Sequence, residues 1–181
     1  MSSFSRRSYR SVEIAVGPAY GPVLGWTALL ALAQTTVVPL LAFRGAVPSL
    51  VTIAVVLYAL RAGARRGALL ALPAGAIEDI FAGTAGAWTI ASTVVALLAG
   101  GFSRRMFAEG SLVPAALCAA AVLIRDLVFW LIVRLEGFPA GYGTAHLHGA
   151  VLRATLTAVV AFAWLALRAR VVREVTRVER Y

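Results

Sequence analysis

Apolar residues run along the chain in six blocks separated by brief polar breaks. The blocks are Val23 to Phe43, Ala46 to Leu60, Gly67 to Gly83, Gly86 to Phe102, Leu112 to Val133, and His148 to about Leu167. A transmembrane helix needs about 20 predominantly apolar residues, and each block reaches or approaches that length. The breaks at Arg44-Gly45, Arg61 to Arg66 and Thr84-Ala85 are short, so consecutive helices are expected as antiparallel neighbours. The pattern predicts an all-α polytopic membrane protein. Its six transmembrane helices form a compact bundle over residues 23–167, between an N-terminal tail (1–22) and a basic C-terminal tail (168–181). Pro73 and Pro39 each remove an intrahelical hydrogen bond, which predicts kinks in the third and first spans.

Composition sharpens this picture. Hydrophobic residues make up 61% of the 181 positions and charged residues 14%. A soluble domain carries about 25% charged residues, so a soluble enzyme, a disordered tail and a disulfide scaffold are excluded. The single cysteine, Cys118, lies in an apolar run.

Every one of the 17 basic residues is Arg, and the net charge is +9. In a soluble chain that balance would point to nucleic acid; in a polytopic one it belongs in cytoplasmic loops. Arg6, Arg7, Arg10, Arg61, Arg65, Arg66, Arg104, Arg105, Arg168, Arg170, Arg173, Arg177 and Arg180 all fall on one side of a six-span path. Only Arg44 and Arg134 fall on the other, while Arg125 and Arg153 lie within spans. Both termini are therefore expected to be cytoplasmic, with membrane lipid and no nucleic acid as the surroundings. The start, with Arg6-Arg7 and Ala31-Leu32-Ala33, has the outline of a signal peptide, but the apolar run continues to Phe43, where a mature domain should turn polar. At the other end, Val171, Val172, Val175 and Val178 form a helical apolar stripe among Arg170, Arg173, Arg177 and Arg180. Such a basic amphipathic helix can lie on anionic lipid or dock a cytosolic partner.

Small residues recur every four positions in the third span, at Gly63, Gly67, Ala71, Gly75 and Gly83, with Asp79 completing the row. Residues four apart share a helix face, and Gly and Ala there permit close helix contact. The row is expected to be a buried packing face.

Five ionisable residues sit inside apolar blocks: Glu78, Asp79, Arg125, Asp126 and Arg153. Counting from the cytoplasmic ends at 1.5 Å per residue puts Asp79 about 18 Å, Arg125 about 20 Å and Arg153 about 22 Å up a core of about 30 Å. All five fall in one layer, in the outer half of the membrane. A charge at the bilayer centre costs about 2.5–3.5 kcal/mol on the insertion scale, so Arg125 or Arg153 is expected to pair with Glu78, Asp79 or Asp126. Asp79, on the small-residue row, is expected to be the most enclosed and Glu78 more peripheral. The layer reads either as a structural ionic network or as a polar cavity for a solute or a proton path.

No catalytic, cofactor-binding or metal-binding residue stands out. His146 and His148 form an H-x-H pair in an outer loop, after a Gly-rich stretch from Gly137 to Gly143 that reads as a flexible connector, but no nearby Cys or carboxylate completes a metal site. No Gly-rich phosphate loop and no G-x-S-x-G motif occurs. Glu78 and Asp79 are adjacent, about 100° apart on one helix, and do not form an acidic catalytic pair across two helices.

Several segments from Pro48 to about Val133 carry a family resemblance. Pro48-Ser49-Leu50 opens a span ending in Tyr58-Ala59-Leu60-Arg61-Ala62-Gly63. Arg66-Gly67-Ala68-Leu69-Leu70, then Ala74-Gly75-Ala76-Ile77-Glu78-Asp79, then a Gly83-x-x-Gly86 turn follow. Ala99-Gly100-Gly101, Arg104-Arg105 and Arg125-Asp126-Leu127 complete the pattern. This resembles the MreD family of rod shape-determining membrane proteins, over about half the chain. Glu78 ahead of the usual Asp and the basic C-terminal tail depart from that pattern. The resemblance implies a non-enzymatic scaffold of the elongation complex in the bacterial cytoplasmic membrane, directing lateral peptidoglycan synthesis. It implies as partners MreC, RodA, the elongation-specific penicillin-binding transpeptidase and the actin-like MreB. The alternative is the substrate-binding subunit of an energy-coupling-factor vitamin transporter, which has similar length and six spans. Its usual Ala-x-x-x-Ala pair in the first span is missing among Ala28, Ala31, Ala33 and Ala42.

Overall fold

The computed structural model describes residues 20–102 and 110–178. Among the described residues it contains seven α-helices and no strand: α1 (Tyr20–Thr36), α2 (Leu50–Ala62), α3 (Ala64–Ala82), α4 (Ala87–Gly101), α5 (Leu112–Leu135), α6 (Ala140–His148) and α7 (Ala150–Val178). The N-terminal tail with Arg6, Arg7 and Arg10, and the connection with Arg104 and Arg105, lie outside the described residues.

Local chemistry sets the helix ends. The α1 helix stops at Thr36, earlier than the apolar run implies, and Pro39 lies in a 3₁₀ turn, Val38–Leu41, not inside a kinked span. Arg44 and Gly45 then turn the chain with φ of 50° and 77°, while Phe43 and Ala46 exchange both backbone hydrogen bonds, at 2.9 and 3.0 Å. Two consecutive positive φ values are the requirement of a type I′ turn. Ser49 caps α2. The α3 helix continues past Pro73 to a left-handed Gly83, φ 66°, a C-terminal conformation that glycine adopts at little cost. The stretch expected as a flexible connector instead contains α6, seated beside α5. A Cβ on Gly143 would sit 3.0 Å from Trp130 Cδ1, so this short helix is tightly docked. The α7 helix passes Leu167 without a break and takes in most of the basic tail, whose side chains beyond Val171 lie outside the description.

The most extensive helix contact is between α3 and α4, followed by α5 with α7 and α4 with α5. Gly75 makes the first contact possible, and Gly67 lets α3 approach α2. A Cβ on Gly67 would lie 2.5 Å from Ala59 Cβ of α2, and one on Gly75 would lie 2.5 Å from Thr89 Cα of α4. Ala71 between them is fully buried. Gly63 and Gly83, at the ends of the row, have open space around them and positive φ. Both terminate helices, but the Gly63 backbone lies against Gly100 of α4 while Gly83 is exposed, so the packing face ends short of Gly83, a correction to the expected row. Gly100 adds an approach the row did not contain, since its Cβ would meet Ala64 Cα at 2.3 Å.

The core is built from small side chains. Val51, Val55, Val56, Ala59, Ala74 and Ala96 of α2 to α4 are almost entirely enclosed. Large apolar residues face outward: Trp26, Leu40, Ile80, Leu135 and Val151 are 67–82% exposed. Glu78, Asp79, Arg125 and Asp126 are buried. The polarity is thus inverted relative to a soluble domain, where charged residues are almost never enclosed unless paired. Two helical segments, Leu112–Leu135 and Ala150–Val171, are long and apolar enough to cross a membrane, with only 39% and 22% of their apolar windows buried. The α2 and α4 helices are apolar but shorter.

Candidate functional site

The polar layer centres on Arg125 of α5, which reaches three other helices at once. Its Nε donates to Ser92 Oγ of α4 at 3.0 Å. Its Nη1 donates to Ser49 Oγ and Thr52 Oγ1, at the start of α2, both at 3.2 Å. Its Nη2 pairs with Glu78 Oε2 of α3. The guanidinium also lies over the Trp88 ring, 4.4 Å from the centroid, a favourable cation–π distance. An Arg has five N–H donors in a rigid fork, and four are engaged here. With a side-chain exposure of only 6%, such saturation is what makes an enclosed cation tolerable.

The start of α2 is held from three sides. Gln34 of α1 receives the Leu50 N–H on Oε1 (2.6 Å) and donates from Nε2 to the Pro48 carbonyl (3.0 Å). Thr157 of α7 accepts the Ser49 N–H at 2.9 Å and donates to the Arg153 carbonyl at 2.7 Å. Ser49 and Thr52 share a hydroxyl hydrogen bond of 2.7 Å. None of Gln34, Ser49, Thr52, Ser92 and Thr157 stood out in the sequence. The one available signal was Ser49 three residues before Thr52 after Pro48, an N-cap position.

Asp79 does something different from its neighbour. The side chains of residues 78 and 79 diverge around α3, so Glu78 meets α5 while Asp79 meets the start of α4. Asp79 Oδ1 accepts from Thr84 Oγ1 (2.5 Å) and the Trp88 N–H (2.9 Å). Its Oδ2 accepts from the Thr89 N–H (2.9 Å) and Thr89 Oγ1 (2.6 Å). A carboxylate at a helix N-terminus satisfies orphan donors and meets the positive end of the dipole. Asp79 thus caps α4 from the preceding helix and fixes the α3–α4 hairpin whose register Gly75 sets. Among the described residues it makes no ion pair with an Arg, and it is not the most enclosed of the five: Asp126 is 2% exposed, Asp79 6% and Glu78 8%.

Asp126 faces the other way around α5, towards α7. Its Oδ2 lies 3.1 Å from Arg153 Nε, as an ion pair without hydrogen-bond alignment. Arg153 Nη2 donates to the His146 carbonyl of α6 at 2.6 Å. The imidazole of His146 sits against Trp88 and Phe129, with centroids 5.1 and 5.0 Å away, and those two rings stack at 3.9 Å. Gln34, Glu78, Arg125, Asp126, His146 and Arg153 border a cavity of about 340 Å³. Four of the five charges expected in one layer therefore meet around a common space, and the fifth, Asp79, adjoins it through Trp88.

Burial first, and then the Arg153 and Arg125 charges, push the His146 pKa down from 6.5 to about 4. An opened state in which the imidazole meets water keeps the ordinary value and takes up a proton first. Stability present above about pH 6.5 is therefore lost as pH falls towards the folded value, by about 2 kcal/mol at a pH of about 5. Thermal melts of the purified protein at about pH 7.5 and about pH 5 should show this loss. In His146→Gln the difference between the two melts should shrink.

Among the described residues no group of three or more His, Cys, Asp or Glu side chains is arranged to hold a metal ion. Cys118 is a free, buried thiol. What the site defines is an all-helical protein whose interior charges join helices to one another. Compared with family models, with curated proteins and with solved structures, the chain matches none.

Proposed function

We propose that this chain is a non-enzymatic scaffold of the bacterial cell-elongation complex. It would span the cytoplasmic membrane six times with both termini cytoplasmic, and support lateral peptidoglycan synthesis and cell shape. Its partners are MreC, RodA and the elongation-specific penicillin-binding transpeptidase, with MreB on the cytoplasmic side. The identity of the complex rests on the sequence resemblance from Pro48 to Val133. The membrane setting is supported by the outward-facing large apolar side chains and the enclosed charges. The short α2 helix fits it too: eight of its 13 residues are buried, so its neighbours shield it from any mismatch with the bilayer thickness.

The observation that carries the scaffold reading is the engagement of Arg125. Four of its five N–H donors are spent on Ser49, Thr52, Glu78 and Ser92, in three other helices. An arginine that binds a substrate keeps donors for it, whereas this one ties α2, α3 and α4 to α5. The test is co-purification of the tagged full chain with the products of adjacent reading frames. A single-span, coiled-coil exported protein retained in stoichiometric amount is the expected result. Retention of an ATPase module, with no such exported protein, would replace the scaffold reading by the transporter one.

One observation favours that second reading, a solute-binding subunit of a vitamin transporter. Among the described residues Asp126 Oδ2 and Arg153 Nε have no hydrogen-bond partner beyond their own misaligned ion pair, and their residues border the 340 Å³ cavity. On that reading Asp126→Asn leaves protein levels normal and abolishes binding of a small molecule. On the scaffold reading it lowers the amount of folded protein.

A further inference from the structure

A second concavity of about 620 Å³ runs between α1, α2 and α7, and its Leu50 end nears the charged cavity, which Ser49 lines. Its walls are apolar, with Trp26, Leu30, Ile53, Leu57 and Trp164 among them. Along α2 it extends from Leu50 to Arg61, about 16 Å at 1.5 Å per residue. That is about half of a 30 Å hydrocarbon core, the depth that one leaflet fills. One end is cationic: Arg61 of α2 and Arg168 of α7 both line it. Neither has an acidic partner among the described residues, and their charges act on each other, since burial and then Arg168 lower the Arg61 pKa. One turn below Arg61, Tyr58 is 5% exposed and its hydroxyl has no hydrogen-bond partner among the described residues. Leaving a buried hydroxyl unsatisfied is unfavourable, so this face is arranged for a polar group that no described residue supplies.

We propose that this groove binds one anionic phospholipid, with an acyl chain along α2 between Trp26 and Trp164 and the headgroup phosphate held by Arg61 and Arg168. The Tyr58 hydroxyl donates to an oxygen of the glycerol–ester region below the phosphate. A phosphate beside two guanidiniums forms charge-assisted hydrogen bonds, and relieves the repulsion between two cations that share no carboxylate among the described residues. A partner helix is a poorer occupant: it would need carboxylates at this end, and a second copy of this chain would bring two more arginines to it. The inference rests on the membrane setting proposed above, which cysteine labelling tests separately, and is independent of the scaffold role.

Native mass spectrometry of the full chain in detergent tests the site, by titration with phosphatidylglycerol and with phosphatidylcholine of the same acyl chains. Two arginines near a lipid phosphate should favour the anionic lipid by at least about tenfold. Arg61→Gln with Arg168→Gln should abolish that preference. Arg44→Gln with Arg134→Gln removes the same charge away from the groove and should preserve it. Ala54→Trp fills the groove wall and should also abolish the preference with both arginines intact. Inorganic phosphate should not displace the lipid, because it gains nothing from the apolar walls. Equal binding of the two lipids by the unmodified chain would overturn the proposal, as would a preference that survives either groove variant or yields to inorganic phosphate. A dimer of the chain lost in Ala54→Trp, in place of lipid adducts, would assign the groove to a second copy instead.

Discussion

Replacing Arg125 with Met should remove most of the folded protein. The substitution strands the Glu78 carboxylate in the interior and deprives the Ser49, Thr52 and Ser92 hydroxyls of a shared donor. Breaking a buried ion pair by removing one partner costs about 3–5 kcal/mol, whereas replacing both partners by well-packed neutral groups is often tolerated. Glu78→Gln alone should therefore also be damaging, and Arg125→Met with Glu78→Gln should be milder than the sum of the two. Yield of monodisperse protein in detergent and its melting temperature measure this. Additive losses would mean that the two side chains stabilise the bundle independently.

Gly75→Leu should have the next largest effect, for a steric reason. A Cβ at residue 75 would lie 2.5 Å from Thr89 Cα, 2.8 Å from Thr89 N and 2.9 Å from the Trp88 carbonyl. These are backbone atoms, so no rotamer change relieves the overlap and the α3–α4 pair must separate. Overpacking a dense interior costs about 1–3 kcal/mol for added methylenes; Gly75→Ala should fall in that range and Gly75→Leu beyond it. Separation would also pull Asp79 away from the Trp88 and Thr89 amides, uncapping α4. Gly101→Ala is the control: nothing lies within 4 Å of a Cβ there, and exchanging Gly for Ala in a helix gains up to about 1 kcal/mol. Normal levels of Gly75→Leu in the membrane would contradict the close packing.

Much of the charged layer was legible because ionisable residues stand out against apolar runs and the helix rise converts position into depth. Residues 78 and 79 being adjacent meant that they point in different directions, and they serve two partners: Arg125, and the start of α4. The hydroxyl and amide groups that complete the layer were not legible. Gln34, Ser49, Thr52, Ser92 and Thr157 are uncharged and scattered in hydrophobic sequence, and only the tertiary fold brings them within 3.4 Å of one another's partners. The four-residue row in α3 ends before Gly83, which fits the period but serves as an exposed helix end with positive φ. Periodicity alone does not distinguish a glycine that admits a neighbour from one that admits a positive φ. The α6 helix escaped because four of the residues from Gly137 to Gly143 are Gly or Pro, which lowers helix propensity. Its contacts with Trp130, Trp88 and Phe129 override that local preference.

The central claim is that the charges around Arg125 lie inside a six-span membrane bundle whose two ends are both cytoplasmic, and cysteine labelling in intact cells tests it most directly. Cys118 is buried and should stay silent, so single cysteines report one site each: Arg10→Cys, Gly141→Cys and Arg173→Cys. Gly141 is exposed with nothing within 4 Å of an added Cβ, so the probe itself should not disturb α6. The account predicts that a membrane-impermeant maleimide reaches Gly141→Cys from outside, and reaches Arg10→Cys and Arg173→Cys only after the membrane is permeabilised. Labelling of Arg10→Cys or Arg173→Cys in intact cells, or protection of Gly141→Cys, would contradict it.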